Sequence, residues 1–174
     1  MLKTICQANL NDNSLRSNDN ALRRFEDKDA EVVSRLIIKT LWVSNIKDYS
    51  EQYIEDIVKM FTPECLINRA TWTHFFVACD GGLIVGCGAI GPYLGSDDES
   101  CLFNVFVLPK YQGKGVGRMI VETLEQDEFF IRARRTKVPA SITACEFYKK
   151  LGYAHKGGIK AVDEVGLFCL EKCR

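Results

Sequence analysis

Val107-Leu108-Pro109-Lys110-Tyr111-Gln112-Gly113-Lys114-Gly115-Val116-Gly117-Arg118 is the stretch on which the reading of this chain turns. Cys101 to Leu108 is rich in β-branched and aromatic residues and predicts a buried strand, which Pro109 ends because it has no amide proton to give the ladder. Glycines at 113, 115 and 117 then remove every second side chain, so the backbone can approach a bulky anion. Free amides at the start of the next helix point at such an anion with the positive end of the helix dipole behind them. Lys114 and Arg118 add charge where a diphosphate would lie. The spacing is neither a Walker loop nor the dinucleotide Gly-x-Gly-x-x-Gly. On the glycines alone, a tight turn chosen for helix packing is an equal reading.

Gln112-Gly113-Lys114-Gly115-Val116-Gly117, preceded by Val-x-Pro and an aromatic, resembles the Gln/Arg-x-x-Gly-x-Gly/Ala motif of the GNAT superfamily of N-acetyltransferases. Downstream, Ala144-Cys145-Glu146-Phe147-Tyr148-Lys149-Lys150-Leu151-Gly152-Tyr153 resembles that superfamily's Ala-x-x-Phe-Tyr-x-x-x-Gly-Phe/Tyr helix. The two motifs stand in the expected order. The resemblance runs from about Ala21 to the C-terminus, with no motif of comparable specificity in the acceptor half. It implies an α/β fold: a mixed, mostly antiparallel central sheet with helices on both faces. The order of elements along the chain points to the same architecture.

A length of 174 residues with 47% apolar content suits one domain of ordinary size, expected over residues 21–174. Residues 1–20, rich in Asn, Asp and Ser without an apolar period, read as a loose tail. Acidic and basic residues number 23 each, which gives no bias toward nucleic acid. The longest apolar run is broken by glycines and too short for a bilayer, and the N-terminus shows no apolar signal core, so a cytoplasmic protein with no membrane partner is expected. Eight cysteines fall without a Cys-x-x-Cys pair or a matching His cluster; zinc is not expected, and most read as small buried hydrophobes.

Ala21 to Phe25 reads as a first strand, and Val33, Leu36, Ile37, Thr40 and Leu41 as a helical stripe capped by Asp27 or Asp29. Tyr53, Ile54, Ile57, Val58 and Phe61 form a second stripe, with Ser50 as cap and Thr62-Pro63 as its end. Thr73 to Cys79 and Leu83 to Tyr93 pair as a hairpin around Asp80-Gly81-Gly82. Val116, Met119, Ile120 and Leu124 make an amphipathic helix, Phe130 to Val138 a strand, Ile142 to Leu151 a helix and Glu164 to Leu170 a last strand, whose apolar edge could pair two copies as a homodimer. Gly86-Cys87-Gly88-Ala89-Ile90-Gly91 matches the dinucleotide fingerprint but runs into Pro92 where a helix should open. It reads as a glycine-kinked strand passing close to a neighbour.

The resemblance implies acetyl-CoA as cosubstrate and an amine, on a small molecule or a protein, as acceptor, with no metal. Amides of Gln112, Gly113, Lys114, Gly115, Val116, Gly117 and Arg118 would hold the pyrophosphate, the backbone near Phe106 and Val107 would pair with the pantetheine arm, and the Val107 amide would steady the oxyanion. Tyr148 is the candidate general acid: helical spacing turns it away from Ala144, Phe147 and Leu151 onto the face of Ser141 and Cys145. Ser141 stands where the superfamily often has an asparagine that touches CoA, a departure that leaves its ligand role open. Glu99, beside Asp97 and Asp98, is the candidate base, the alternative being a solvated acidic loop. Arg132, Arg134, Arg135 and Lys137 read as a solvated face from which one member could reach the 3'-phosphate. His74 is a candidate acceptor-side residue or a structural histidine. The rival readings are a non-catalytic acyl-CoA-binding module and a nucleotide or phosphosugar binder.

Overall fold

The computed structural model describes residues 20–174. The tail expected over residues 1–20 lies outside them but for its last position, as does Cys6. The order is strand β1 (Asn20–Arg24), helices α1 (Ala30–Ser44), α2 (Glu51–Val58) and α3 (Pro63–Ala70), strands β2 (His74–Asp80), β3 (Leu83–Pro92) and β4 (Glu99–Val107), helices α4 (Val116–Leu124) and α5 (Glu128–Arg132), strand β5 (Arg135–Ala140), helix α6 (Cys145–Lys150), and strands β6 (Ala154–His155) and β7 (Phe168–Cys173). The strands form one sheet in the order β1-β2-β3-β4-β5-β7-β6. Only β4 and β5 run parallel, so the mixed, mostly antiparallel sheet is as expected.

Two apolar layers hold helices to the two faces. Val33, Leu36, Ile37 and Leu41 of α1, Ile54 of α2 and Leu66 of α3 pack with Phe75, Val77, Cys87 and Ala89. On the other face Val116, Ile120, Val121 and Leu124 of α4 and Cys145 and Tyr148 of α6 pack with Val85, Ile90, Leu102, Val138 and Leu170. The glycines of β3 explain how closely α4 sits: a Cβ on Gly88 would stand 2.5 Å from Ile120 Cγ2, and one on Gly86 2.9 Å from Ile120 Cδ1. No helix opens after Gly91, and the fingerprint glycines serve packing.

The feature that makes the site is a parting of strands. β4 and β5 pair only over Glu99–Cys101 and Arg135–Lys137, with Ser100 and Thr136 sharing a buried hydroxyl hydrogen bond of 2.7 Å. Beyond Cys101 the strands separate, and the backbone of β4 from Leu102 to Val107 faces an open wedge on that side. The β3–β4 register slips between Cys87 and Ala89, and Asn104 sits there in the left-handed region at φ 52°. This bulge bends β4 away from β5.

Several local expectations are corrected. Thr62-Pro63 ends the α2 run as expected, at an extended Thr62 after a 3-10 turn, but it also begins α3, a helix not read from the sequence: Thr62 Oγ1 accepts from Cys65 N at 3.3 Å, and proline is tolerated at the first helical position. Residues 128–132 are helical, not strand, because Asp127 Oδ1 caps Phe129 N at 3.0 Å; β5 starts only at Arg135. Neither Asp27 nor Asp29 caps α1 through its side chain; Asp29 instead accepts from Glu26 N and pairs with Arg23 at 2.6 Å. The last strand begins at Phe168, since Asp163 gathers Val165 N and Leu167 N into a turn. It is no edge: β5 and β6 flank it, and the sheet's edges are β1 and β6. Cys87, Cys101 and Cys145 are buried as expected, but Cys65, Cys169 and Cys173 are exposed, strand alternation having turned Leu170 inward and Cys169 out. Among the described residues no helix is long and apolar enough to cross a membrane.

Candidate active site

The glycine turn links β4 to α4 through a short 3-10 segment, Pro109–Tyr111. Gly113 and Gly115 hold φ of 73° and 88°, and a Cβ on either would meet nothing within 4 Å. Gly115 is the N-cap of α4, whose amides at Val116, Gly117 and Arg118 have no preceding turn to bond. Gly117 has a different task from its two neighbours. Its φ is ordinary, and a Cβ there would come to 3.2 Å from Phe147 Cζ, so its lack of side chain lets α6 close over α4.

Val107 turns its backbone away from the neighbouring strand β3. Leu108 N donates to Val85 O at 2.9 Å, so by antiparallel alternation Val107 turns its amide and carbonyl away from β3 and toward the wedge. Phe106 is the opposite case: its backbone pairs with Cys87, and its ring, not its peptide, faces the wedge. Gln112 does not aim its side chain at a phosphate. Its Nε2 donates to Val107 O at 2.9 Å and to Ser44 Oγ at 3.0 Å, tying the turn to β4 and to the end of α1. Thr40 Oγ1 reaches the same carbonyl at 3.4 Å.

Two cavities meet in the wedge. The first, about 540 Å³, lies between the turn (Gln112, Gly113, Gly115, Gly117, Arg118), the end of β4, the end of α1 (Thr40, Ser44, Asn45) and α6 with the residues before it (Ser141, Thr143, Ala144, Phe147, Tyr148, Lys150). The second, about 300 Å³, lies under α2 and α3 and is lined by Tyr49, Tyr53, Ile57, Phe61, Arg69, Phe103 and Asn104 among others. Asn45, Val105, Phe106, Ser141, Ala144 and Tyr148 line both. The loop after Asp163 closes the second cavity. Tyr49 hydroxyl donates to Gly166 O at 2.8 Å and accepts from Ile142 N, while Tyr53 hydroxyl donates to Val165 O at 2.9 Å.

Tyr148 therefore stands at the junction, though not on a surface face. It is 4% exposed and belongs to the core with Cys145, while Ala144, Phe147 and Leu151 are only partly buried, because α6 lies with its Cys145–Tyr148 side over the sheet. Burial raises the phenol's pKa above its ordinary 10.0. Ser141 lines both cavities and accepts from Ala144 N at 3.2 Å as a cap. Lys114 is folded over the Tyr111 ring at 5.4 Å, and Arg118 pairs loosely with Glu122 at 3.4 Å.

Glu99 is placed outside both cavities. Lys137 Nζ lies 2.6 Å and Arg135 3.6 Å from its carboxylate, and these partners hold it below the usual carboxylate range. The acidic and basic runs cancel each other: Asp97 meets Arg132 at 3.1 Å and Asp98 meets Arg134 at 3.7 Å. Lys137 is buried, not on a solvated face, with its ammonium 3.7 Å from the Tyr93 ring centre. His74 is likewise outside, held by Asp127 at 2.7 Å and packed on Phe129. Among the described residues no Asp or Glu lines either cavity, and no three His, Cys, Asp or Glu side chains gather as a metal site. Sequence reading had no hold on Thr40, Ser44, Asn45, Lys150 and Arg69. Thr40 and Ser44 sit four residues apart on α1, but such a pair on a core stripe carries no signal until α1 is laid against β4.

Residues 71–155 match the family described as the acetyltransferase (GNAT) domain. Among solved structures, the chain is similar to the PaiA N-acetyltransferase of Thermoplasma acidophilum in complex with coenzyme A (TM-score 0.75, 18% identity, covering 89% of this chain and 99% of that one). It is similar to a GCN5-related N-acetyltransferase of Rhodopseudomonas palustris (TM-score 0.73, 24% identity, 89% and 96%). A third similar structure is YncA of Salmonella typhimurium with its cofactor acetyl-CoA (TM-score 0.59, 14% identity, 89% and 94%).

Proposed function

This chain belongs to the GNAT acetyltransferase domain family, and on that premise we propose that it is an acetyl-CoA-dependent N-acetyltransferase in which the acceptor amine attacks the thioester directly. One observation carries the reading: a donor-sized cavity ending on free helix amides and an acceptor cavity meet at Val105, Phe106 and Tyr148. The residues present suit the coenzyme. The amides of Val116, Gly117 and Arg118, with the open left-handed glycines before them, would take the diphosphate, and the side of β4 that β5 leaves unpaired beyond Cys101 would extend the sheet to the pantetheine arm.

Attack forms the C–N bond and builds negative charge on the carbonyl oxygen, which the Val107 amide is turned to receive. Collapse breaks the C–S bond, and Tyr148 donates a hydrogen bond to the leaving sulfur. A free thiol of this kind has a pKa of about 8.5 against about 10 for a phenol, so outright transfer runs uphill by about 2 kcal/mol or more. Tyr148 therefore acts chiefly by stabilising the thiolate, which a proton shed by the amine then neutralises through solvent. Among the described residues that line the cavities there is no carboxylate, so the amine gives up its ammonium proton to water, and donor and acceptor meet in a ternary complex.

Calorimetric titration with CoA, ATP and NAD, joined to a thiol-release assay over a panel of amines, tests this. CoA should bind tightest and thiol release should depend on the amine. Tighter ATP than CoA binding, or CoA binding without turnover on any amine, would overturn the reading.

A further inference from the structure

We infer that the acceptor amine carries a carboxylate beside an aromatic or branched apolar body, and that Arg69 holds that carboxylate. The inference rests on the transferase reading and names its substrate class. Arg69 is the one charged side chain among the described residues that line the second cavity. It comes from the last turn of α3, and its guanidinium lies 4.8 Å from the Phe103 ring centre and 5.0 Å from that of Trp72. Burial lowers its pKa, and among the described residues no carboxylate acts against that effect. A half-buried guanidinium presents five donors in a planar fork, and a charge taken from water without a counterion is costly. An anionic group on the ligand removes that cost and makes a bidentate pair.

The rest of the wall points to the same class. Tyr49 and Tyr53 have committed their hydroxyls to the Gly166 and Val165 carbonyls, so they offer the ligand ring faces, as do Phe61 and Phe106. A cavity with one fixed cation and no carboxylate repels polyamines and other polycations. It also lacks a base, which suits amines less basic than a lysine-type amine at about 10.4, since they reach the site with a larger neutral fraction.

The test gives the full-length protein, with acetyl-CoA, pairs of amines that differ only in the carboxylate: tyrosine and tyramine, phenylalanine and phenethylamine, 4-aminobenzoate and aniline. The carboxylate-bearing member should show a kcat/KM about tenfold or more higher, the difference lying mainly in KM, as a charge-assisted pair predicts. Arg69→Gln should bring the ratio close to one and Arg69→Lys should keep part of it. The change in ratio between wild type and variant cancels the differing basicity of the two amines. CoA affinity, whose cavity Arg69 does not line, should stay within about twofold and so reports folding; where Arg69→Gln fails that control, the wild-type ratio and Arg69→Lys decide. A wild-type preference for the carboxylate-free member, or a ratio that Arg69→Gln leaves unchanged, overturns this inference and leaves the transferase reading standing. No turnover with any amine overturns both.

Discussion

Replacing Gly88 by alanine probes the contact that sets the depth of α4, and with it the position of the glycine turn. The added Cβ would stand 2.5 Å from Ile120 Cγ2 and 3.2 Å from Leu124 Cδ1, both on fully buried side chains. Real Cβ atoms do not approach so closely, and Cγ2 cannot swing aside without an unfavourable rotamer, so α4 or β3 must shift. Overpacking of this kind costs about 1–3 kcal/mol, which for a chain of this size lowers Tm by roughly 2–12 °C. The contact atoms allow a sharper forecast. Gly86→Ala meets Ile120 Cδ1 at 2.9 Å, the atom that Ile120→Val deletes, whereas Gly88→Ala meets Cγ2, which valine keeps. In urea-unfolding double-mutant cycles, Ile120→Val should therefore rescue Gly86→Ala by about 0.5–1.5 kcal/mol and leave Gly88→Ala unrescued within about 0.5 kcal/mol. Equal coupling to both glycines, or a Gly88→Ala protein as stable as wild type, would refute the packing argument.

Tyr148→Phe should lower kcat by about 10²-fold or more while CoA affinity measured by calorimetry changes little, since the phenol assists the leaving sulfur and does not hold the diphosphate; unchanged kcat removes Tyr148 from the chemistry. The rate should rise with pH as the amine deprotonates and then stay level to about pH 10, because burial raises the pKa of Tyr148 and keeps its acid form present as pH increases. A descending limb centred below pH 9 contradicts that burial. Gly115→Ala forces a Cβ onto φ 88° and should cost about 1–2 kcal/mol of stability and about tenfold or more in CoA affinity. Gly81→Ala, at φ 54° in the β2–β3 hairpin, serves as its control, with similar strain and no effect on CoA; if Gly115→Ala weakens CoA binding no more than this control does, the turn is not the donor site.

What could be read from residues alone was whatever local chemistry dictates. The turn at Gly113 and Gly115 was legible because left-handed backbone demands glycine, the helix after it because Val116, Ile120 and Leu124 keep a 3.6-residue period, and the β2–β3 hairpin because Gly81-Gly82 allows little else. Thr62-Pro63 was read as the end of the α2 run, which it is, but proline both stops a helix and starts one, and Thr62's bond to Cys65 N shows that it does both. Phe130 to Val138 misled because apolar runs of that length suit helix and strand alike until Asp127 caps one end.

The site divides along the same line. Motif spacing singled out the glycine turn and Tyr148 as candidates, and both line the first cavity, although it took the packing of α6 on the sheet to bury Tyr148. The fates of Glu99, Lys137 and Arg69 were decided in three dimensions. Glu99 and Lys137 lie 38 residues apart, and their pairing exists only because β4 and β5 run side by side at their starts; Arg69 became the cation of a cavity only because α3 packs against α1 and β2, from where its side chain reaches Phe103 of β4 beyond the point at which that strand leaves β5. Charge has long reach and no sequence period, so which ions cancel and which stay available is settled by tertiary contact alone.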